Sequence, residues 1–409
     1  MSASPGSAPA ETTGPPDATI GRQALVALAL ASGPVVALGF TRFAYALLLP
    51  AMHEVMHWSY AQAGGMNTAN ALGYIIGAAT AALLARTVGG RQIFLGTLAA
   101  SALVLLATAA TASFPVLLAL RFVGGFTTAV TFVVGSVLAS HIVSGALQRR
   151  SALMVAVYMA GVGIGVVISG AVVPAALGSG PSGWRLGWLL MGAIAVVALL
   201  PAWLGTRSVA PPGGTHSAVL EADQLRRLAP TFVWYVLYGA GYVSYMTFVI
   251  ALLKSQGLGG SMIALFFVVL GVASVVATLT VWGHLAGRLR AGRAPALVAV
   301  VVFLGVLPVL LLPVGVPAAV LSAVIFGASF MAGPTAATVI ARRMLPRGAW
   351  TAGIALLTVA FSVGQAIGPL VSGLLSDGAG GISRGLWLSA GLLILAAVAA
   401  LFQRDHHAA

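Results

Sequence analysis

Residues 39–45 read GFTRFAY, and residues 239–245 read GAGYVSY. Glycine opens both stretches and tyrosine closes both, which sets Arg42 opposite Tyr242 and Tyr45 opposite Tyr245. The same offset of roughly 200 residues recurs along the chain. GVGIG (161–165), followed by Gly170, aligns with GQAIG (364–368), followed by Gly373; ARTVGGR (85–91) aligns with GRLRAGR (287–293). Matches that hold one offset over this distance describe a duplicated unit, and the question becomes what the unit is.

The residues around these stretches answer it. The chain has 409 residues, of which 60% are hydrophobic and 7% charged, and its mean hydropathy is +1.04. Such a balance lies outside the range of a soluble domain. Twelve apolar runs follow a polar N-terminal tail, at 24–51, 60–84, 92–110, 115–140, 152–177, 186–205, 231–253, 262–286, 295–314, 318–340, 351–375 and 386–402. Each is long enough to cross about 30 Å of hydrocarbon as a helix. The tail lacks the basic, apolar, small-residue order of a cleaved signal peptide, so the first run is expected to stay in the mature chain. The fold class expected is therefore an all-α membrane protein of twelve transmembrane helices in two six-helix, pseudo-symmetric halves. Its parts are a disordered tail (1–22), an N-terminal bundle (23–205), a Pro- and Gly-rich linker (206–229), a C-terminal bundle (230–403) and a short tail (404–409). A parallel duplication of six-helix units with a site near the pseudo-symmetry axis is one of the architectures of secondary transporters.

Charge orients the spans. Of 20 lysines and arginines, those at 22, 86, 91, 149, 150, 207, 226, 227, 288, 290, 293, 342, 343, 347 and 404 fall on one side if the loops alternate. Only Arg185, Lys254 and Arg384 fall on the other. The positive-inside rule then puts both termini in the cytoplasm of a bacterial plasma (inner) membrane. The net charge of +13 is read as a topology signal with an attraction for anionic lipid headgroups, not as a nucleic-acid footprint. The chain has no cysteine, which removes disulfides, thiolate catalysis and cysteine metal ligands.

Several stretches resemble the major facilitator superfamily. GHLAGR (283–288) is similar to its loop motif between the second and third helices of a half, with Gly287 where an aspartate is usual, and ALLARTVGGR (82–91) is a weaker copy with Ala85 at that place. LRFVGG (120–125) resembles the fourth-helix motif that carries an arginine, here Arg121. RFAYALLLPAM (42–52), AQAG (61–64) and NTANALGYIIGA (67–78) together resemble the YbfB/YjiJ-type transporters. The resemblance implies a fold in which the first and fourth helices line a central cavity. In relatives the loop aspartate pairs with an arginine and helix-end dipoles to latch one conformation. Arg86 and Arg288 have no such partner in their motifs here, so the balance between inward and outward states must be set elsewhere.

One motif points to a different function. His53, Glu54, Val55, Met56 and His57 form a literal H-E-x-x-H, which on a helix can hold zinc for a peptidase. A zinc site also needs a third ligand and a second shell. The other acidic residues are Glu11, Asp17, Glu221, Asp223, Asp377 and Asp405, and only Asp377 is expected on the same side of the membrane. The motif follows Pro50, which tends to bend or end a span. It is read as an exposed helix end, with no metal and no cofactor, and the chain is read as no enzyme.

The apolar runs hold two ionised groups, Arg42 and Arg121, and no aspartate or glutamate. A charge at membrane depth usually faces a cavity or a partner. Two guanidiniums facing one cavity favour an anion, because their forked donors suit a carboxylate or phosphate. The bland alternative is that Arg121 binds backbone carbonyls of a neighbouring helix and Arg42 snorkels outward. Tyr235, Tyr238, Tyr242 and Tyr245 fall on one face of the seventh span. Substrate contacts are thus expected from Arg42, Tyr45, Asn67, Asn70, Arg121, Tyr238, Tyr242, Tyr245 and Gln365. Gating is expected from Arg86, Arg288 and the glycines 161, 165, 364 and 368, since glycines at this spacing let helices approach closely and slide. Glu54 and Asp377 are the candidates for proton coupling. The expected function is alternating-access transport of a small organic anion or amphiphilic metabolite by a monomer whose partners are its small-molecule substrate and the bilayer. A proton-driven multidrug efflux pump and a non-transporting sensor are the alternatives.

Overall fold

The computed structural model describes residues 20–143, 150–209, 220–290, 292–313, 315–346 and 349–404. Most of the expected tails and the middle of the linker lie outside these, as do Arg149 and Arg347. Twelve helices among the described residues are long and apolar enough to span a bilayer. They are α1 (Ile20–Met56), α2 (Tyr60–Thr87), α3 (Gly90–Ala110), α4 (Phe114–Ser140), α5 (Ser151–Leu177), α6 (Gly183–Arg207), α7 (Ala222–Ser255), α8 (Gly260–Thr280), α9 (Arg293–Leu311), α10 (Val316–Met344), α11 (Trp350–Ser376) and α12 (Gly381–Leu401).

The duplication read from the sequence is present in the packing. In the first half α1 packs on α5, α2 on α4, and α3 on α4 and α6; in the second α7 packs on α11, α8 on α10, and α9 on α10 and α12. Each pair has its counterpart six helices later. The halves meet along α2 with α11 and α5 with α8, which are themselves symmetry mates, and along α1 with α7.

Four helices depart from the expected boundaries. α1 runs through Pro50 to Met56 instead of ending near residue 51. Proline is tolerated inside membrane helices where neighbours re-satisfy the freed carbonyl. The helix is closed instead by His57, the only non-glycine residue with positive φ (52°) among the described residues, whose own N–H and that of Trp58 both return to the His53 carbonyl. α7 begins at Ala222, so residues 222–229, which the sequence assigns to the linker, are helical. Gln224 Oε1 accepts the Glu221 N–H (3.2 Å) and Asp223 pairs with Arg227 one turn on. α8 ends at Thr280 and a short helix, Trp282–Arg288, follows, with Trp282 Nε1 donating to the Ala328 carbonyl (2.5 Å). α10 is interrupted at Phe330–Met331, where the Phe330 carbonyl accepts the Tyr238 hydroxyl (2.8 Å).

The irregularity that matters most is in α1. Residues Val35–Phe43 are wound as a π-helix, with the Ala44 N–H reaching the Gly39 carbonyl. Wide turns of this kind recur at functional sites because they re-aim side chains and leave carbonyls open to outside donors. Here the outside donors are Thr128 of α4, on the Ala37 carbonyl (2.9 Å), and Arg121 of α4, on the Thr41 carbonyl (2.5 Å). Gly39 lies against Gly165 of α5 with no room for a Cβ on either, which seats the wide segment against its neighbour.

Candidate functional site at the centre of the bundle

The two arginines of the apolar runs are both buried, and the structure treats them differently. Arg121 is tied into the protein. Its Nη1 donates to the Thr41 carbonyl, its Nη2 to Asn67 Oδ1 (3.0 Å), and its Cζ lies 4.5 Å from the centroid of the Tyr45 ring. Asn67 Nδ2 donates in turn to Thr247 Oγ1 of α7 (2.7 Å), so the network crosses between the halves. Asn70 Nδ2 donates to the Arg121 carbonyl (3.1 Å), and the Tyr45 hydroxyl to the Ala63 carbonyl (2.9 Å). This is the arrangement of a helix tie: charge-assisted bonds to fixed acceptors, each stronger than a neutral pair.

Arg42 has no such ties. Its Nη2 is buried without a hydrogen-bond partner. The guanidinium carbon lies among three rings, 5.5 Å from the centroid of Phe43, 5.9 Å from Tyr242 and 5.5 Å from Phe361 of α11. Cation–π attraction offsets part of the burial of charge, about 0.5–2 kcal/mol per well-placed ring. An unmet buried donor still costs about 1–3 kcal/mol. Arg42 does not snorkel outward; it is held at the boundary between the halves.

Other buried polar groups are unmet as well. The Tyr242 hydroxyl and both amide atoms of Gln365 are buried without partners. Gln365 follows Phe361, which lies against Arg42, by about one turn of α11. The Trp234 Nε1 is a further unmet donor, at the end of a stack that runs Trp234, Tyr235, Tyr238, Tyr242 down α7. Phe326 and Phe330 of α10 close the other side of Tyr242, and Tyr74 of α2 lies within electrostatic reach of Arg42 and Tyr242. Arg121 keeps one unmet donor as well, Nε, but Arg42 Nη2 and the Tyr242 hydroxyl share an aromatic enclosure, a site with polar demands that the protein itself leaves open.

The profile of the family described as "Uncharacterised MFS-type transporter YbfB" matches residues 34–401. The chain belongs to this family of the major facilitator superfamily. A relative from Streptomyces lividans, the chloramphenicol resistance protein, is 31% identical over 380 residues, covering 90% of this chain and 93% of that one. Among solved structures, the nucleoside transporter NupG superposes with a TM-score of 0.70 at 16% identity, covering 93% of this chain and 98% of that one. The bacterial homologue of the human lysosomal transporter Spinster, inward-facing and occupied, superposes with a TM-score of 0.68 at 18% identity, over 93% of this chain and 95% of that one. These two share the fold. The protein is a multi-pass membrane transporter.

Within this YbfB-type transporter the remaining expected residues are placed as follows. Tyr238 and Tyr245 spend their hydroxyls inside the second half, on the Phe330 carbonyl and on Ser322 Oγ. Gly161 and Gly165 seat α5 on α1, and Gly364 and Gly368 seat α11 on α7, all four inside a half. The glycines on the seam between halves are others: Gly163 against Gly271, Gly170 against Phe267, Gly64 against Pro369 and Gly373 against Tyr60. Arg86 and Arg288 are exposed and form no ion pair among the described residues. Glu54 pairs with Lys254 across the halves (3.2 Å), and His53 stacks on Tyr60 (4.3 Å between centroids). Among the described residues no group of three His, Asp or Glu side chains could hold a metal ion. His53, Glu54 and His57 instead line a cleft of about 580 Å³ at the end of the bundle.

Sequence reading did not single out Phe361, Phe330, Trp234 or Thr247. The first three lie among many apolar residues of similar type. The signal that was available for Thr247 is its place two residues beyond Tyr245, just after the repeated stretch.

Proposed function

We propose that this transporter moves a small amphiphilic molecule, one with an apolar or aromatic body and an anionic or acceptor-rich head, by alternating access of its two halves. The head is met by Arg42, and the body lies among Phe43, Tyr242 and Phe361. The observation that carries this reading is the meeting of two unmet polar groups, Arg42 Nη2 and Tyr242 Oη, whose guanidinium and ring lie 5.9 Å apart; the unmet Gln365 amide, one turn beyond Phe361, is a further candidate. A ligand that supplies acceptors to the first and both partners to the last removes their desolvation penalty on binding, which is the basis of selectivity in a buried polar site. With no carboxylate near Arg42, the site favours an acceptor over a cation. Tyr45, Asn67, Asn70 and Arg121 hold the helices that shape the site, and in this reading they touch the substrate less than Arg42 does. The membrane is the plasma membrane, with both termini cytoplasmic, as the charge pattern supports.

A second reading, export of antibiotics, is favoured by the name of the relative from Streptomyces lividans. Both readings fit one site, because the requirement is an acceptor group on an aromatic body and not a particular metabolite. The test is thermal unfolding of purified protein with chloramphenicol, 4-nitrobenzoate, benzoate, uridine and a cationic dye as probes. Ligand binding raises the midpoint in proportion to RT ln(1 + [L]/Kd). Stabilisation by the aryl acceptors that is lost in Arg42→Ala supports the proposal. Stabilisation by the cationic dye alone overturns it.

A further inference from the structure

At the end of the bundle that carries His57, the carboxylate of Asp377 joins the halves through backbone donors. Asp377 follows the last turn of α11 and reaches α2, where its Oδ1 accepts the Tyr60 N–H (2.7 Å) and its Oδ2 the Ala61 N–H (2.9 Å). These are the first two backbone donors of α2. The third is met locally, since Ser59 Oγ accepts the Gln62 N–H (3.1 Å) while Gln62 Oε1 accepts the Ser59 N–H (2.8 Å). The N-terminus of α2 is therefore capped partly by its own half and partly by the other. A carboxylate at the C-terminal end of its own helix is badly placed with respect to that helix's dipole, and well placed only because the positive end of α2 faces it.

The seam beneath Asp377 is built to let it reach. Gly373 leaves space for the Tyr60 carbonyl, and Gly64 leaves space for that of Pro369. Further toward the centre Thr68 Oγ1 donates to the Ala366 carbonyl (2.6 Å). The other charge contact at this end, Lys254 with Glu54, is exposed on both sides, and pairs of that kind contribute little.

We propose that Asp377 is a helix cap acting across the two halves, which latches the transporter closed at its outer end. Opening that end requires both bonds to break and leaves two backbone donors of α2 uncapped. Holding the outer end shut favours the state closed to the outside. The latch is independent of what the central site binds, since it needs no ligand.

The chain has no cysteine, so spin labels at Val55→Cys and Ser261→Cys, exposed positions on the two halves, report the outer gap in the otherwise unaltered protein without ligand. Asp377→Asn keeps the size and one acceptor oxygen but removes the charge; Asp377→Ala removes the cap. The latch predicts that both raise the ratio of open to closed distances, about tenfold for the alanine, the effect of losing one N-cap side chain. Lys254→Gln shifts it less than twofold. Gly373→Leu, which wedges the seam, marks where the open distance lies. Hydrogen exchange of the Tyr60 and Ala61 amides reads the cap directly and should quicken in both Asp377 variants. A distance distribution and amide exchange unchanged in both variants, with Gly373→Leu showing the longer distance, overturns the proposal.

Discussion

The guanidinium carbon of Arg42 lies 5.9 Å from the ring centroid of Tyr242, and these are the residues that the internal repeat sets opposite each other. Symmetry mates of α1 and α7 meet where the two halves meet, at the pseudo-symmetry axis. The duplication thus produced one position with two chemistries: a forked cation in the first half and a phenol in the second. Neither has its hydrogen-bonding satisfied by the protein.

Arg42→Ala is expected to abolish transport, and with it the stabilisation by aryl acceptors, without impairing folding or insertion. Arg42→Lys should lose most of the activity too, because one ammonium cannot supply a bidentate fork. Since the guanidinium has no fixed partner, the alanine variant without ligand should melt no lower than the parent. A lower melting point with normal transport would show Arg42 to be structural.

Arg121→Ala should behave in the opposite way. It strands the Thr41 carbonyl and Asn67 and removes the guanidinium over Tyr45. A loss of about 3 kcal/mol is expected, with or without ligand. Asn67→Ala should cost less, as it leaves the Thr41 bond in place. Thermal unfolding of the two variants beside Arg42→Ala separates tie from site.

Glycines inside a half and glycines between halves should differ in the same assay. A methyl group on Gly368 meets the α7 backbone at Ala240, inside the second half, so Gly368→Ala should lower stability by about 1–3 kcal/mol in every conformation. Gly163→Ala presses instead on Gly271 across the seam. It should change the ratio of the two conformations, read by the Val55–Ser261 label pair, more than it changes the melting point.

His53→Ala should transport normally, and the purified protein should hold no stoichiometric zinc by elemental analysis. His53 stacks on Tyr60 and Glu54 is engaged with Lys254, which leaves the H-E-x-x-H residues without a converging ligand set. Stoichiometric zinc together with loss of all activity would restore the peptidase reading.

Reporter fusions after Arg91, Arg227 and Arg290 should report cytoplasm, and fusions near His57 and Lys254 the outside. The reverse pattern would place the Asp377 contact on the cytoplasmic face.

Composition and periodicity were sufficient for the membrane class, the twelve spans and the pairing of the halves, because hydrocarbon thickness sets the length of each apolar run and duplication leaves a constant offset. The two arginines were legible too, since a charge in an apolar run stands out. Their difference was not. In sequence Arg42 and Arg121 are equivalent, a guanidinium in a span with no carboxylate nearby. The structure separates them through backbone carbonyls and packed rings: the π-helical turns of α1 present the Thr41 carbonyl to Arg121, while Arg42, one residue on, is turned toward Tyr242 and Phe361. The same holds for Tyr238 and Tyr242, one turn apart on α7, of which only the first finds a carbonyl, at the interruption of α10. It holds again for Asp377, whose partners lie more than three hundred residues away in sequence. A side chain's type is written at its own position. Which backbone group is left to meet it is decided by irregularities and packing of other helices, and those exist only once the chain has folded.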